Sequence, residues 1–137
     1  MKVMLVDDEP SFHVLVQSVC ESAGHEFRGV GDSRQAIEVF KAYAPDVVLL
    51  DIMMPCLDGY QVCEGIRALD SEVAVVFLSA KGAVPDKREA FSRGADDYLV
   101  KPFGGEELLM RLEALQRRSQ RAKAQAAPAP SETLKVG

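Results

Sequence analysis

The sequence lacks the features that mark several specialised classes of protein. It has no tryptophan, and no apolar run approaches the roughly 18 to 20 residues that a membrane-spanning helix needs. The amino terminus leads directly into strand-like sequence without a secretion signal. We therefore expect a cytoplasmic protein that has no membrane association.

Cysteine is scarce, and its spacing suits neither cross-linking nor zinc binding. Cys20, Cys56 and Cys63 are odd in number and include no CxxC pair, which disfavours both a disulfide framework and a zinc site. Cys20 and Cys63 fall on apolar helical stripes. We predict that both are small core residues.

The chain also lacks an excess of positive charge. Its 137 residues include 16 Lys and Arg against 21 Asp and Glu, for a formal net charge of -5. A chain of this sign is a poor nucleic-acid binder, so any DNA contact should require another domain. The hydrophobic fraction of 47% and the length fit a single domain with its own core.

Short apolar segments alternate with amphipathic segments along the chain. Apolar runs without polar alternation are typical of strands buried on both faces of a parallel sheet. The pattern predicts an α/β fold with one doubly wound parallel sheet of five strands and five helices. The predicted strands cover residues 2–6, 25–30, 46–51, 73–78 and 97–100, and the helices between them begin near residues 10, 33, 59, 86 and 105.

Polar side chains stand at the ends of four of these strands. Asp7 and Asp8 follow the first strand, Asp51 ends the third, Ser79 follows the fourth and Lys101 follows the fifth. Because function gathers at the carboxyl ends of strands in open α/β sheets, we expect these side chains to converge on one rim. Three carboxylates together repel one another and favour a hard cation with oxygen ligands, such as Mg²⁺.

This set of groups suits phosphoryl transfer to an aspartate. The reaction needs an attacking carboxylate oxygen and positive charge near the other phosphoryl oxygens. A lysine ammonium, a serine hydroxyl and a divalent cation supply hydrogen-bond donors and charge. The chemistry therefore points to an aspartyl phosphate.

Four motifs resemble those of bacterial response-regulator receiver domains, which have the CheY-like fold. They are Leu5–Pro10, Leu50–Pro55 followed by Asp58-Gly59, Leu78–Lys81, and Gly94–Phe103. The resemblance extends from Val3 to about Arg118. It implies the strand order 2-1-3-4-5 and a receiver domain over residues 1–120.

The resemblance also implies roles for the residues near the third strand. Asp51 would accept a phosphoryl group from the phosphohistidine of a sensor histidine kinase. Asp8 would bind Mg²⁺ directly, Asp7 would act through water, and the main-chain carbonyl of Met53 would complete the protein ligands. A haloacid-dehalogenase-like phosphatase would need a second carboxylate where this chain has Met53. We therefore expect a phosphoacceptor signalling domain and not an enzyme. Such a domain promotes only its own phosphorylation and dephosphorylation.

Further residues would bind the phosphoryl group or respond to it. Ser79, Ala80 and Lys101 would surround the phosphoryl oxygens, and Ser79 and Tyr98 would form a switch pair. Receivers typically have a cis bond before the proline that follows the lysine, here Pro102.

Among response regulators, the chain looks most like the OmpR/PhoB subfamily of transcription factors. Residues 121–132 would form an Ala/Pro-rich linker, and residues 133–137 would begin a truncated winged-helix DNA-binding domain. The alternative is a stand-alone CheY-like switch that binds a protein partner. Phosphorylated receivers of this subfamily form homodimers, and the predicted dimer face comprises Lys87, Phe91, Asp96, Asp97, Glu107, Arg111, Leu112 and Arg118. The resemblance implies that charge pairs between the two copies join Lys87 to Glu107, Asp97 to Arg111 and Asp96 to Arg118, around an apolar surface patch of Phe91 and Leu112.

Overall fold

A five-stranded, all-parallel sheet forms the centre of the molecule. The computed structural model describes residues 1–80 and 87–126, and it describes Lys87 and residues 122–126 by their backbone alone. The strand order is β2-β1-β3-β4-β5, which confirms the predicted fold. The strands are β1 (Lys2–Val6), β2 (Glu26–Val30), β3 (Val47–Asp51), β4 (Ala74–Ala80) and β5 (Asp97–Lys101).

Helices cover both faces of the sheet. Side chains of α1 and α5 pack on one face, and side chains of α2, α3 and α4 pack on the other. Successive strand residues point to opposite faces, so Leu49 and Leu50 enter different core clusters. The helices are α1 (Pro10–Ser22), α2 (Ala36–Tyr43), α3 (Gly59–Leu69), α4 (Lys87–Ser92) and α5 (Gly105–Ala126).

Local sequence explains where several helices begin and end. Pro10 occupies the first turn of α1, where its missing N–H is not needed. Asp58 and Gln61 form a capping box at the start of α3. Ala44 ends α2 in the left-handed conformation, at φ 52°. The capping box fixes the start of α3 directly after the loop that follows β3.

Several element boundaries differ from the prediction, and two of these differences concern the candidate site and the predicted linker. β4 continues through Ser79 and Ala80, so Ser79 belongs to the strand rather than to the loop after it. α5 continues to Ala126, into the segment 121–132 predicted as a linker. Residues 127–132 of that segment, and the predicted start of a winged-helix domain at 133–137, lie outside the described residues. Among the helices that the structure describes, none combines the length and apolar character of a membrane span.

The burial of the three cysteines leads to a prediction. Cys20 and Cys63 are buried and Cys56 is exposed, which confirms the first two as core residues. Burial raises the pKa of the Cys20 thiol to about 11 and also raises the pKa of Cys63. We expect one thiol of the folded protein to react rapidly with Ellman's reagent, because little of either buried thiol is ionised or accessible.

The variant Cys56→Ser should remove the fast reaction, and the matched variant Cys20→Ser should leave it unchanged. A second fast thiol in the wild-type protein would contradict the observed packing.

Candidate functional site

Three carboxylates meet at the carboxyl edge of the sheet. Asp7 and Asp8 follow β1, Asp51 ends the adjacent strand β3, and one oxygen of each lies within 4.8 Å of the others. Asp7 is fully buried, and Asp51 is 6% exposed. Asp8 is exposed to solvent. The predicted convergence of these residues is therefore present in the structure.

Main-chain hydrogen bonds hold the two buried aspartates in place. Asp7 Oδ1 accepts a hydrogen bond from the Glu9 amide (2.9 Å), and Asp51 Oδ1 accepts one from the Met53 amide (3.3 Å). His13 Nε2 lies 2.6 Å from the Asp7 carbonyl oxygen, to which it donates. A side chain at Gly59 would place its Cβ 2.5 Å from the Asp51 carbonyl oxygen, so only glycine lets α3 approach this strand end.

Lys101 supplies the positive charge of the site. Its Nζ lies 2.6 Å from Asp7 Oδ2, 3.4 Å from Asp51 Oδ2 and 3.7 Å from Glu9 Oε1. It also lies 4.1 Å from the centre of the Phe12 ring, a cation–π contact. Lys101 is only 5% exposed, and the following bond to Pro102 is cis, as the resemblance implied.

One lysine does not balance the negative charge. Burial, together with the neighbouring Asp7, raises the pKa of Asp51 to about 6, although Lys101 opposes the shift. Burial disfavours the charged form of Lys101, but its bonds to Asp7 and Asp51 outweigh burial and raise its pKa. An all-oxygen cluster of excess negative charge matches what Mg²⁺ requires. The donor set therefore fits the predicted cation.

The other predicted site residues lie on β4 and β5. Ser79 is buried next to the end of β3, because Asp51 pairs with the preceding residue Leu78. Ala80 is exposed at the end of the strand. Tyr98 is buried in the core cluster with Phe77, so the structure shows its ring turned inward.

Comparison with known proteins identifies this arrangement. A family model described as the response regulator receiver domain matches residues 3–113. The chain belongs to this family. Receiver domains are signalling domains that typically bind Mg²⁺ at an acidic pocket, and this receiver has a cluster of three aspartates at the carboxyl edge of its sheet.

The receiver is similar to named transcriptional regulators. It is 44% identical over 121 residues to the probable transcriptional regulator ycf27 of Guillardia theta, covering 88% of this chain and 47% of that protein. It is 39% identical over 137 residues to the transcriptional regulatory protein TrcR of Mycobacterium tuberculosis, covering 100% of this chain and 52% of that protein. The chain thus spans about half the length of these relatives, and the resemblance to OmpR/PhoB-type regulators is confirmed.

A solved structure shows the same fold. The receiver domain of Francisella response regulator 1452 is 31% identical and superposes with a TM-score of 0.78, covering 86% of this chain and 98% of that chain. Both the predicted fold and the predicted family are therefore confirmed.

The predicted dimer face needs one correction. Phe91 is 46% exposed and fits an apolar surface patch, but Leu112 is fully buried against the sheet. Leu112 lies four residues after Leu108 and three before Leu115, so all three share the inward stripe of α5. The assignment of Leu112 to the surface patch was wrong. The side chain of Lys87 lies outside the described part of the receiver.

The acidic residues of this face have partners within the chain. Asp97 pairs with Arg111 (3.2 Å), and Asp96 pairs with Arg118 (2.9 Å). Asp96 also accepts hydrogen bonds from Arg67 Nη2 (2.9 Å) and from the Val75 amide (2.8 Å). Arg111 contacts Glu107 at 3.8 Å as well. If the same residues paired between two subunits, the pairs within each chain would first have to break.

Sequence reasoning missed two contributors to this organisation. Glu9 lies beside Lys101, and its position directly after Asp7-Asp8 was a usable signal. Arg67 joins α3 to the start of β5 through Asp96, and no local pattern connects residues so far apart in the chain.

Proposed function

We propose that this receiver takes a phosphoryl group onto Asp51 from the phosphohistidine of a sensor histidine kinase in the cytoplasm. The observation that carries the proposal is the position of Asp51 at the end of a buried strand, with Asp7, Asp8 and Lys101 around it. A buried strand fixes the carboxylate, and the open edge of the sheet lets a donor approach it. Reactions on other substrates form no part of the proposal.

Asp7, Asp8, Asp51 and the main-chain carbonyl of Met53 would hold Mg²⁺ at this edge. When bound, the ion offsets the negative charge on the phosphoryl oxygens. The oxygen cluster described above supports this assignment.

Asp51 would act as the nucleophile, and other groups of the receiver would bind the phosphoryl oxygens. An oxygen of Asp51 attacks phosphorus, the phosphorus–nitrogen bond of the phosphohistidine breaks, and the imidazole leaves. Lys101 Nζ, which lies 3.4 Å from Asp51 Oδ2, then donates to a phosphoryl oxygen. The Ser79 hydroxyl and the Ala80 amide donate to the others, and Ser79 forms a switch pair with Tyr98, which packs inward in this structure. Fixed donors stabilise the transferring group without having to be reorganised during the reaction.

The output that we propose is control of transcription. Phosphorylation would favour a homodimer through α4, β5 and α5, and DNA would be bound by a carboxyl-terminal domain outside this chain. The support is that similar proteins are named as transcriptional regulators. Each of them is about twice as long as this chain. The second candidate is a stand-alone switch that binds a protein partner, which the exposed Phe91 would also suit.

Light scattering separates these two outputs. With Mg²⁺ and beryllofluoride, a mimic of the phosphoryl group, we expect the molar mass in solution to be twice the value measured with Mg²⁺ alone. The variant Lys87→Glu should reduce dimerisation, because it places like charges opposite Glu107 of the second copy. The matched variant Lys41→Glu makes the same charge change on the exposed surface of α2 and should dimerise normally. A monomer under both conditions would favour the second candidate.

A further inference from the structure

Ser33 connects two loops at the functional edge of the sheet. It lies in a short 3-10 turn between β2 and α2 and is 3% exposed. Its Oγ donates to the Pro55 carbonyl oxygen (2.9 Å) and accepts from the Leu57 amide (3.1 Å). Both partners belong to the loop between β3 and α3, so one hydroxyl joins the two loops through two hydrogen bonds.

The residue between these two partners has an unfavourable backbone conformation. Cys56 has φ 74°, in the left-handed region that residues other than glycine rarely adopt. Ser33 bonds to the main chain immediately before Cys56 and immediately after it. The serine therefore holds the chain in this conformation from both sides, as a side-chain clamp.

The clamped loop leads back to the carboxylate cluster. It begins directly after Asp51, contains Met53, and is closed at its far end by a hydrogen bond from the Gly59 amide to the Ile52 carbonyl oxygen (2.8 Å). A cleft of about 220 Å³ beside the clamp is lined by Asp8 as well as by Ser33, Pro55 and Cys56. The loop is thus tied at its closing end by Gly59 and near its middle by Ser33.

We propose that Ser33 is a positioning residue for the cation site, because it fixes the loop that presents the Met53 carbonyl. The inference rests on the proposed function, which assigns that carbonyl to Mg²⁺. Loss of the hydroxyl leaves the Pro55 carbonyl and the Leu57 amide without this hydrogen-bond partner and releases Cys56 from its conformation. The Met53 carbonyl then has a wider range of positions, and the cation site is less well formed.

The test begins with Ser33→Ala and calorimetric titration of Mg²⁺. We expect the dissociation constant to rise roughly tenfold, the lower end of the usual effect of removing an outer-shell partner. Phosphorylation by acetyl phosphate should slow at limiting Mg²⁺ and recover at saturating Mg²⁺. Hydrogen exchange of the Leu57 amide should accelerate. The matched control is Ser22→Ala, which removes an exposed hydroxyl that donates to the Val19 carbonyl oxygen within α1.

A second substitution distinguishes positioning from general damage to the fold. Glycine adopts positive φ without steric cost, so Cys56→Gly in the Ser33→Ala background should restore much of the Mg²⁺ affinity. Unchanged Mg²⁺ affinity in Ser33→Ala, with or without faster exchange at Leu57, would overturn the proposal. Failure of the wild-type protein to bind Mg²⁺ or to accept a phosphoryl group would instead overturn the proposed function, while the exchange of the Leu57 amide would still report on the clamp.

Discussion

Asp51→Asn should abolish phosphorylation by acetyl phosphate in the presence of Mg²⁺. The amide that replaces the carboxylate is a poor nucleophile and carries no charge to attract the cation. The fold should remain intact, because the substitution keeps the size of the side chain and removes a charge that lies beside Asp7 in a buried site. Intact-protein mass spectrometry tests this, because the mass of the variant should not increase by that of one phosphoryl group.

The control for this variant lies at the opposite end of the same strand. Asp46 precedes β3, is exposed, and accepts a hydrogen bond from the Lys2 amide. Asp46→Asn should be phosphorylated at the wild-type rate. Undiminished phosphorylation of Asp51→Asn would show that another residue is the acceptor and would contradict the proposed function.

Lys101→Met should destabilise the protein strongly when Mg²⁺ is absent. Removing one member of a buried charge cluster leaves Asp7 and Asp51 without their main counter-ion, which typically costs about 3–5 kcal/mol. Urea unfolding in a chelating buffer measures the loss as a lower midpoint. Adding Mg²⁺ should recover part of the stability, because a bound cation offsets the charge of the carboxylates.

An exposed lysine provides the comparison. Lys41→Met on α2 should change the free energy of unfolding by less than about 0.5 kcal/mol, as is usual for surface substitutions. If Lys101→Met were equally mild without Mg²⁺, its ion pairs with Asp7 and Asp51 would contribute little to folding. The double variant Asp7→Asn/Lys101→Met should recover stability relative to Lys101→Met, since it removes one of the two unpaired charges.

Much of the fold and of the site could be predicted because local patterns determine them. Apolar runs without alternation mark strands buried on both faces, and in a parallel sheet the ends of such strands lie on one edge. Asp7, Asp51 and Lys101 could therefore be placed together from three separate stretches of sequence. Their contacts at 2.6 Å and 3.4 Å fit that reasoning.

Leu112 shows where the resemblance was followed instead of the local pattern, and the end of α5 shows that a helix boundary is hard to place from composition. The spacing of Leu108, Leu112 and Leu115 favours burial, and the surface assignment of Leu112 came from the resemblance instead. Residues 122–126 alternate alanine with lysine and glutamine, all of which favour helix, so composition alone did not require a linker before the first proline.

Ser33 and Arg67 could not have been interpreted from the sequence alone. The partners of Ser33 lie 22 and 24 positions further along the chain, and Asp96 lies 29 positions from Arg67. A serine after an aspartate indicates a helix cap, as at Ser33, and an arginine on a helix indicates a solvent-exposed charge, as at Arg67. Only the packed loops show that each side chain joins separate parts of the chain.

The length of α5 affects how motion at the sheet can be transmitted. Among the residues of α5 whose side chains the structure describes, 105–121, the last buried one is Leu115. The helix continues to Ala126, which at 1.5 Å per residue adds about 16 Å of helix. Such a rod acts as a lever whose fulcrum lies at the packed leucines. A tilt of about ten degrees at this point would displace the far end of the helix by about 3 Å. A rearrangement too small to break the core could thus reorient whatever follows residue 126.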